Sequence, residues 1–175
     1  MRRITSSYHV REFLPNGRAL RIRAIRPSDR KALHDAFHLL SKATIRDRFF
    51  SIKLDLTPQE LTFFTEVDRS CHVALVAELE EGQQRRPVGV GRFVRSPEQP
   101  EVCEFAITII DAFQGQGIGK ALLKRLIDCA RQLGIRQLDA SVLPQNARMS
   151  QLLHRSGLPL VSSLEHGVLT YSLSL

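Results

Sequence analysis

Residues 114–120 read Gln114-Gly115-Gln116-Gly117-Ile118-Gly119-Lys120. An apolar run, Val102 to Ile110, leads into this stretch, and a long amphipathic pattern leaves it. Glycines let a backbone turn tightly and approach a ligand without side-chain obstruction. The first turn of the following helix brings unpaired N–H groups and the positive end of the helix dipole. Together they form a site for a pyrophosphate, and Lys120 adds a cation at the same place. Spacing excludes two familiar phosphate loops. A P-loop requires glycine, four residues, then Gly-Lys-Ser/Thr. Here Ala121 follows Gly119-Lys120, and Gln114 stands where the first glycine belongs. A dinucleotide fingerprint starting at Gly115 requires glycine where Lys120 stands. The spacing that fits is Gln/Arg-x-x-Gly-x-Gly/Ala, carried by Gln114, Gly117 and Gly119.

Working outward, Leu122, Leu126, Ala130 and Leu133 share one face of a helix that Gly134 is placed to end. Gln137 to Leu143 reads as a strand, and Asn146 to Arg155 as a short helix. The tail from Val161 supplies two strands around Glu165-His166-Gly167. Upstream, Cys71 to Leu79 and Val88 to Val94 are strands, with Glu80 to Pro87 as the hairpin connection. Thr57-Pro58-Gln59-Glu60 starts a helix with a capping box and proline in the first turn. A further helical stretch is expected at Thr44 to Phe50. Leu20 to Arg26 alternates apolar and basic residues as a half-buried first strand, and Pro27-Ser28-Asp29 precedes a helix near Arg30. The element order predicts one mixed α/β domain over 18–175, after an N-terminal extension at 1–17.

The chain has 175 residues, 43% hydrophobic and 25% charged, which suits one soluble globular domain. Its formal charge of +7 attracts anions. Many cations, including Arg2, Arg3, Arg11, Arg18, Arg21, Arg23, Arg26 and Arg30, lie near the N-terminus and read as a solvated basic face. No basic run is interleaved with stacking aromatics, so no nucleic-acid partner is expected. No apolar run is long enough to span a bilayer, and no secretion signal follows the first arginines. Cys71, Cys103 and Cys129 are odd in number, lack metal-ligand spacing and have apolar neighbours, so buried free thiols are expected. The histidines form no metal or triad pattern. These features suit a reducing cytoplasm, with no membrane partner and no metal. The apolar terminal strands suggest a monomer or weak dimer.

The Gln114–Gly119 spacing resembles the acyl-CoA signature of the GCN5-related N-acetyltransferase (GNAT) superfamily. The resemblance covers about Pro15 to Tyr171. Leu40-Ser41 through Arg48-Phe49-Phe50, Phe64 to Asp68, His72-Val73-Ala74-Leu75-Val76-Ala77 and Glu104-Phe105-Ala106 are similar to bacterial protein-lysine acetyltransferases of the Pat type. That group modifies acyl-CoA synthetases and related proteins. Its members often carry a fused regulatory domain, for which the segment before the first strand is too short. The resemblance implies a central mixed sheet flanked by helices, with two strands splayed at the acetyl-CoA site. It also implies direct acetyl transfer to an amine, with a protein lysine as the expected acceptor. A small-molecule amine acetyltransferase and a non-catalytic CoA-binding sensor stay open as alternatives.

Roles follow residue by residue. A lysine acceptor, with a reference pKa of about 10.4, arrives mostly protonated and requires a general base. Glu104, in an otherwise apolar strand, is the candidate, and the resemblance places the group's catalytic glutamate there. The alternative is a strand-edge glutamate facing solvent or paired with an arginine. By resemblance, Ile109, Ile110 and Asp111 border the pantetheine arm through their backbone. The amides of Gln116, Gly117, Ile118, Gly119 and Lys120, with Gln114 and Gly115 opening the turn, cradle the pyrophosphate. Asn146 either caps its helix or also contacts the cofactor. Many superfamily members place an acidic tyrosine where Leu153 stands. Tyr8 and Tyr171 lie elsewhere, so His154 or water is left to protonate the thiolate.

Overall fold

Apolar spacing of four residues puts Ile118, Leu122, Leu126 and Ala130 on one face of helix α4 (Ile118–Gln132), and all four are buried. In the computed structural model, which describes residues 4–175, this helix packs on an eight-stranded sheet. Arg2 and Arg3 lie outside the described residues. The strands are β1 (His9–Phe13), β2 (Ala19–Ala24), β3 (His72–Glu81), β4 (Gln84–Arg95), β5 (Val102–Ile109), β6 (Gln137–Val142), β7 (Leu160–Glu165) and β8 (Val168–Ser174). Their spatial order is β1-β2-β3-β4-β5-β6-β8-β7. Every neighbouring pair is antiparallel except β5 and β6, which the α4 crossover joins in parallel. The fold is the expected mixed α/β sheet flanked by helices.

The remaining helices are α1 (Arg30–Phe37), α2 (Lys42–Phe49), α3 (Pro58–Thr65) and α5 (Ala147–His154). Thr57 and Glu60 close the capping box on α3, as their spacing predicts. Strand alternation assigns the sheet faces. A Cβ on Gly91 would stand 2.9 Å from Leu126 Cδ1, so Gly91 faces α4 and its missing side chain admits that helix. Arg92 faces the other way and lies over the Phe64 ring of α3 at 4.5 Å. On that side Phe37, Leu56 and Leu61 form a small core of their own.

Several boundaries differ from the sequence reading. Segment 1–17 contributes β1, paired along β2 from His9↔Arg23 to Phe13↔Ala19, and buries Ile4 and Leu14. The sheet therefore starts before residue 18. The β3–β4 connection is far shorter than Glu80 to Pro87. Glu81 pairs with Gln84, and the turn is Gly82-Gln83, with Gly82 at φ 64°. Cys103 and Cys129 are buried free thiols, but Cys71 is exposed, on the turn entering β3. No helix among the described residues is long and apolar enough to cross a membrane.

Two polar devices shape the sheet face opposite α4 and the entry to β3. Arg23 is 9% exposed and bonds Asp29 through both carboxylate oxygens, at 2.7 and 2.8 Å. It also donates twice to Glu78 Oε1, at 2.9 and 2.7 Å. Removing one partner from such a buried pair costs about 3–5 kcal/mol, because the other charge is left uncompensated. R23M is accordingly expected to lower stability by about that amount in denaturant unfolding.

Asp68 receives backbone N–H bonds from Ser70 (2.6 Å), Cys71 (2.6 Å) and His72 (3.1 Å), which shape the entry to β3. Burial raises the Asp68 carboxyl, but these bonds outweigh it and hold it at about 2, against an ordinary 3.8. A carboxyl lowered by folding contributes stability above its unfolded value and loses it as pH falls through the folded one. Between about pH 4 and pH 2, D68N is thus expected to show a shallower fall in melting temperature than the parent. Parallel melting curves for the two proteins would remove the effect.

Candidate active site

Strands β5 and β6 pair only at Val102↔Gln137, Cys103↔Leu138 and Glu104↔Asp139. Beyond that point β5 continues to Ile109 and β6 to Val142 without meeting. The fork opens a cleft of about 1160 Å³ that runs from α2 past the glycine turn to α5.

Most of the singled-out residues come together here. Glu104, Ile109, Asp111, Gln114, Gly115, Gly117, Ile118, Gly119, Lys120 and Asn146 all line the cleft. Gly115 and Gly117 adopt φ of 76° and 93°, a region that strains other residues. A Cβ on Gly117 would also press to 3.1 Å from Pro15 Cδ. The first α4 hydrogen bond runs from Ala121 N–H to the Gly117 carbonyl (3.1 Å), and no side chain caps the helix. The amides of Ile118, Gly119 and Lys120 therefore stand unpaired at the cleft wall. They suit an anion, as does the exposed Lys120 ammonium. Asn146 Oδ1 caps α5 by accepting from Met149 N–H at 3.1 Å.

One expectation needs correction. Ile110 does not border the cleft. Its N–H donates to Val88 O (2.9 Å) and its carbonyl accepts from Phe113 N–H (2.8 Å), so both backbone groups are engaged. The Gln116 side chain turns away toward Arg18 Nη1 (3.4 Å) and Ala112 O (3.3 Å).

Glu104 is exposed to the cleft rather than buried among the apolar residues of β5. Among the described residues it forms no ion pair, although its charge acts on Arg48 of α2. Asp111 fastens the start of α2. Its carboxylate accepts from Ser41 N–H (2.8 Å), Ser41 Oγ (2.7 Å) and Thr44 Oγ1 (2.8 Å). Burial raises the Asp111 carboxyl, but these bonds outweigh it and hold it below its usual value. Gln114 Nε2 donates to Ile109 O (3.0 Å), while its Oε1 accepts from Arg148.

The sequence reading missed the cations on the α5 side. Arg148 and Arg155 line the cleft seven residues apart, the spacing of one helical face, which could have marked them. Leu153 is fully buried, and His154 stacks edge-on against Tyr171 at 5.7 Å. Tyr8 and Tyr171 lie outside the cleft lining. The histidines also cluster more than expected. His34 and His38, one turn apart, reach Asp55 Oδ1 at 2.9 and 3.3 Å on the outer side of α1.

The model of the acetyltransferase (GNAT) domain family matches residues 19–159. Acetyltransferase PA5475 of Pseudomonas aeruginosa is 34% identical over 144 residues, covering 82% of this chain and 77% of that one. Acetyltransferase Pat of Mycolicibacterium smegmatis is 31% identical over 136 residues, covering 78% of this chain but 40% of the relative. The solved GNAT domain of S. lividans PAT superposes with a TM-score of 0.88 at 28% identity, covering 98% of this chain and 99% of that one. The family match, the forked sheet and the glycine turn agree, and the chain belongs to the GNAT family as an N-acetyltransferase that uses acetyl-CoA.

Proposed function

We propose that this protein acetylates lysine side chains of other proteins, in a cytoplasmic setting, by direct transfer from acetyl-CoA. The observation that carries this reading is the exposed carboxylate of Glu104 at the fork, in a cleft that Phe50, the start of an exposed apolar segment, also lines. Phe50 lines the cleft, 43% exposed, and Ile52 and Leu54 follow it at 92% and 87%. Phe50 sits at φ 56°, a conformation uncommon for a bulky residue, and ends α2 there. Such an apolar segment suits a macromolecular acceptor better than a small polar amine.

The unpaired amides from Ile118 to Lys120 hold the pyrophosphate, and Lys120, Arg148 and Arg155 add cations along the same wall. Along β5, Ile110 N–H points to β4, so strand alternation turns the Ile109 backbone toward the fork. That edge can hydrogen-bond an extended ligand arm. Acetyl-CoA supplies a thioester whose acyl carbon the amine attacks. Glu104 takes the proton from the acceptor ammonium, directly or through water, leaving a neutral nucleophile. With Leu153 buried in place of a cleft tyrosine, water protonates the departing thiolate.

Turnover of E104Q on an acceptor protein is expected to fall by about 100- to 10,000-fold. Acetyl-CoA affinity should change little, because the binding wall is mostly backbone. Near-normal turnover at normal affinity removes Glu104 from the mechanism. In thermal denaturation, acetyl-CoA is expected to raise the melting temperature, while ATP and NAD leave it near the ligand-free value. A titration showing no CoA binding would overturn the assigned wall.

A further inference from the structure

Behind the cleft lies a cavity of about 80 Å³ between the sheet and α1 to α3. That is the space of about two to three waters. Its walls are apolar apart from a few charged groups, among them the guanidiniums of Arg48 and Arg92. Arg48 and Thr108 line both cavity and cleft, so the two spaces meet on the wall that also carries Glu104.

Arg92 is 5% exposed. Nη1 donates to Phe64 O at 3.2 Å and lies 3.2 Å from His72 Nε2. Burial, with the Arg92 charge adding to it, pulls His72 down to about 4, so the imidazole is neutral and can accept that bond. Among the described residues Arg92 has no carboxylate partner, and neither has Arg48. Burial and the nearby Arg48 charge pull Arg92 itself down to about 9. Arg23 on the same face supplies the contrast, since it spends its guanidinium on Asp29 and Glu78. A buried arginine without a carboxylate is costly to the fold. Arg92 thus lines the cavity with no carboxylate of the described residues beside it, one wall away from the candidate base.

We propose that Arg92, with Arg48, receives a carboxylate carried by the acceptor, so that amines bearing a nearby carboxylate are the preferred acceptors. This rests on reading the cleft as the place of acetyl transfer. The carboxylate can belong to an acidic side chain beside the target lysine or to a free amino acid, and paired acceptors separate the two sources. Turnover is measured with lysine peptides carrying Glu or Gln next to the lysine, and with free lysine against lysinamide. The carboxylate member of at least one pair is expected to lead by about 10- to 100-fold in kcat/KM, the size of one charge-assisted hydrogen bond. R92M is expected to lose that preference and R92K to keep part of it. Preference confined to the peptides assigns the carboxylate to a protein; preference confined to lysine assigns it to a small molecule.

Melting temperature gives a second readout that needs no acceptor. Succinate is expected to raise that of the parent protein and not that of R92M, and R92M alone should melt at or above the parent. Equal turnover within both pairs overturns the proposal and leaves acetyl transfer standing. No turnover of any acceptor, with the succinate shift present, sinks the transfer reading and leaves the carboxylate site. A loss of stability in R92M like that expected for R23M, with no succinate shift in the parent, makes Arg92 a structural residue and ends the proposal.

Discussion

Everything in this molecule that bears on chemistry depends on β5 and β6 separating after three paired residues. A parallel pair with α4 as its crossover would ordinarily continue to the ends of both strands. Here the strands diverge while their outer neighbours keep full antiparallel ladders, Gly89↔Ile109 on one side and Val142↔Leu169 on the other. The sheet thus carries an internal edge with free backbone groups, a feature that most proteins keep at the rim. The glycine turn sits at the mouth of that edge. Its unpaired amides and the open β5 edge form one continuous hydrogen-bonding wall, which a long phosphorylated arm can follow.

The two faces of the sheet divide the work. On the α4 face packing is apolar, and Gly91 admits Leu126 at a distance no side chain would allow. The opposite face is charged and covered by three short helices with a small core of their own. A sheet face that buries Arg23 and Arg92 needs anions, and among the described residues carboxylates reach Arg23 and not Arg92. The side that carries Glu104 is thereby set apart from the packing side by composition.

Local signals carried the fold a long way. The capping box at Thr57–Glu60, the apolar stripe from Leu122 to Leu133 and the glycines at 115, 117 and 119 each specify their element within a few residues. Strand β1 escaped because, of the two half-buried positions in His9-Val10-Arg11-Glu12-Phe13, only Val10 is apolar and charge flanks it, as suits an edge strand, so the segment reads as a polar tail. Arg85 and Arg86 read as loop for the same reason, although both pair with β3. The site was legible where backbone geometry decides it. It was not where contacts between distant segments decide it. Nothing in the sequence ties Ile110 N–H to Val88, brings Arg148 onto Gln114, or turns Glu104 into solvent.

Asp111 shows why those distant contacts matter. One carboxylate just after β5 holds Ser41 and Thr44, the cap and first turn of α2, while three residues later the chain enters the glycine turn. Gln114, inside that turn, donates to Thr44 Oγ1 (3.3 Å) and Ile109 O. The start of α2 is thereby fastened to the cofactor wall at several points. The end of α2 carries Arg48 into the cavity and Phe50 onto the cleft mouth. A rigid two-turn helix transmits a shift at one end to the other, because packed elements move as units. The position of the glycine turn is therefore tied, through α2, to the positions of Arg48 and Phe50. The same coupling runs in reverse, since linkage between two sites is reciprocal.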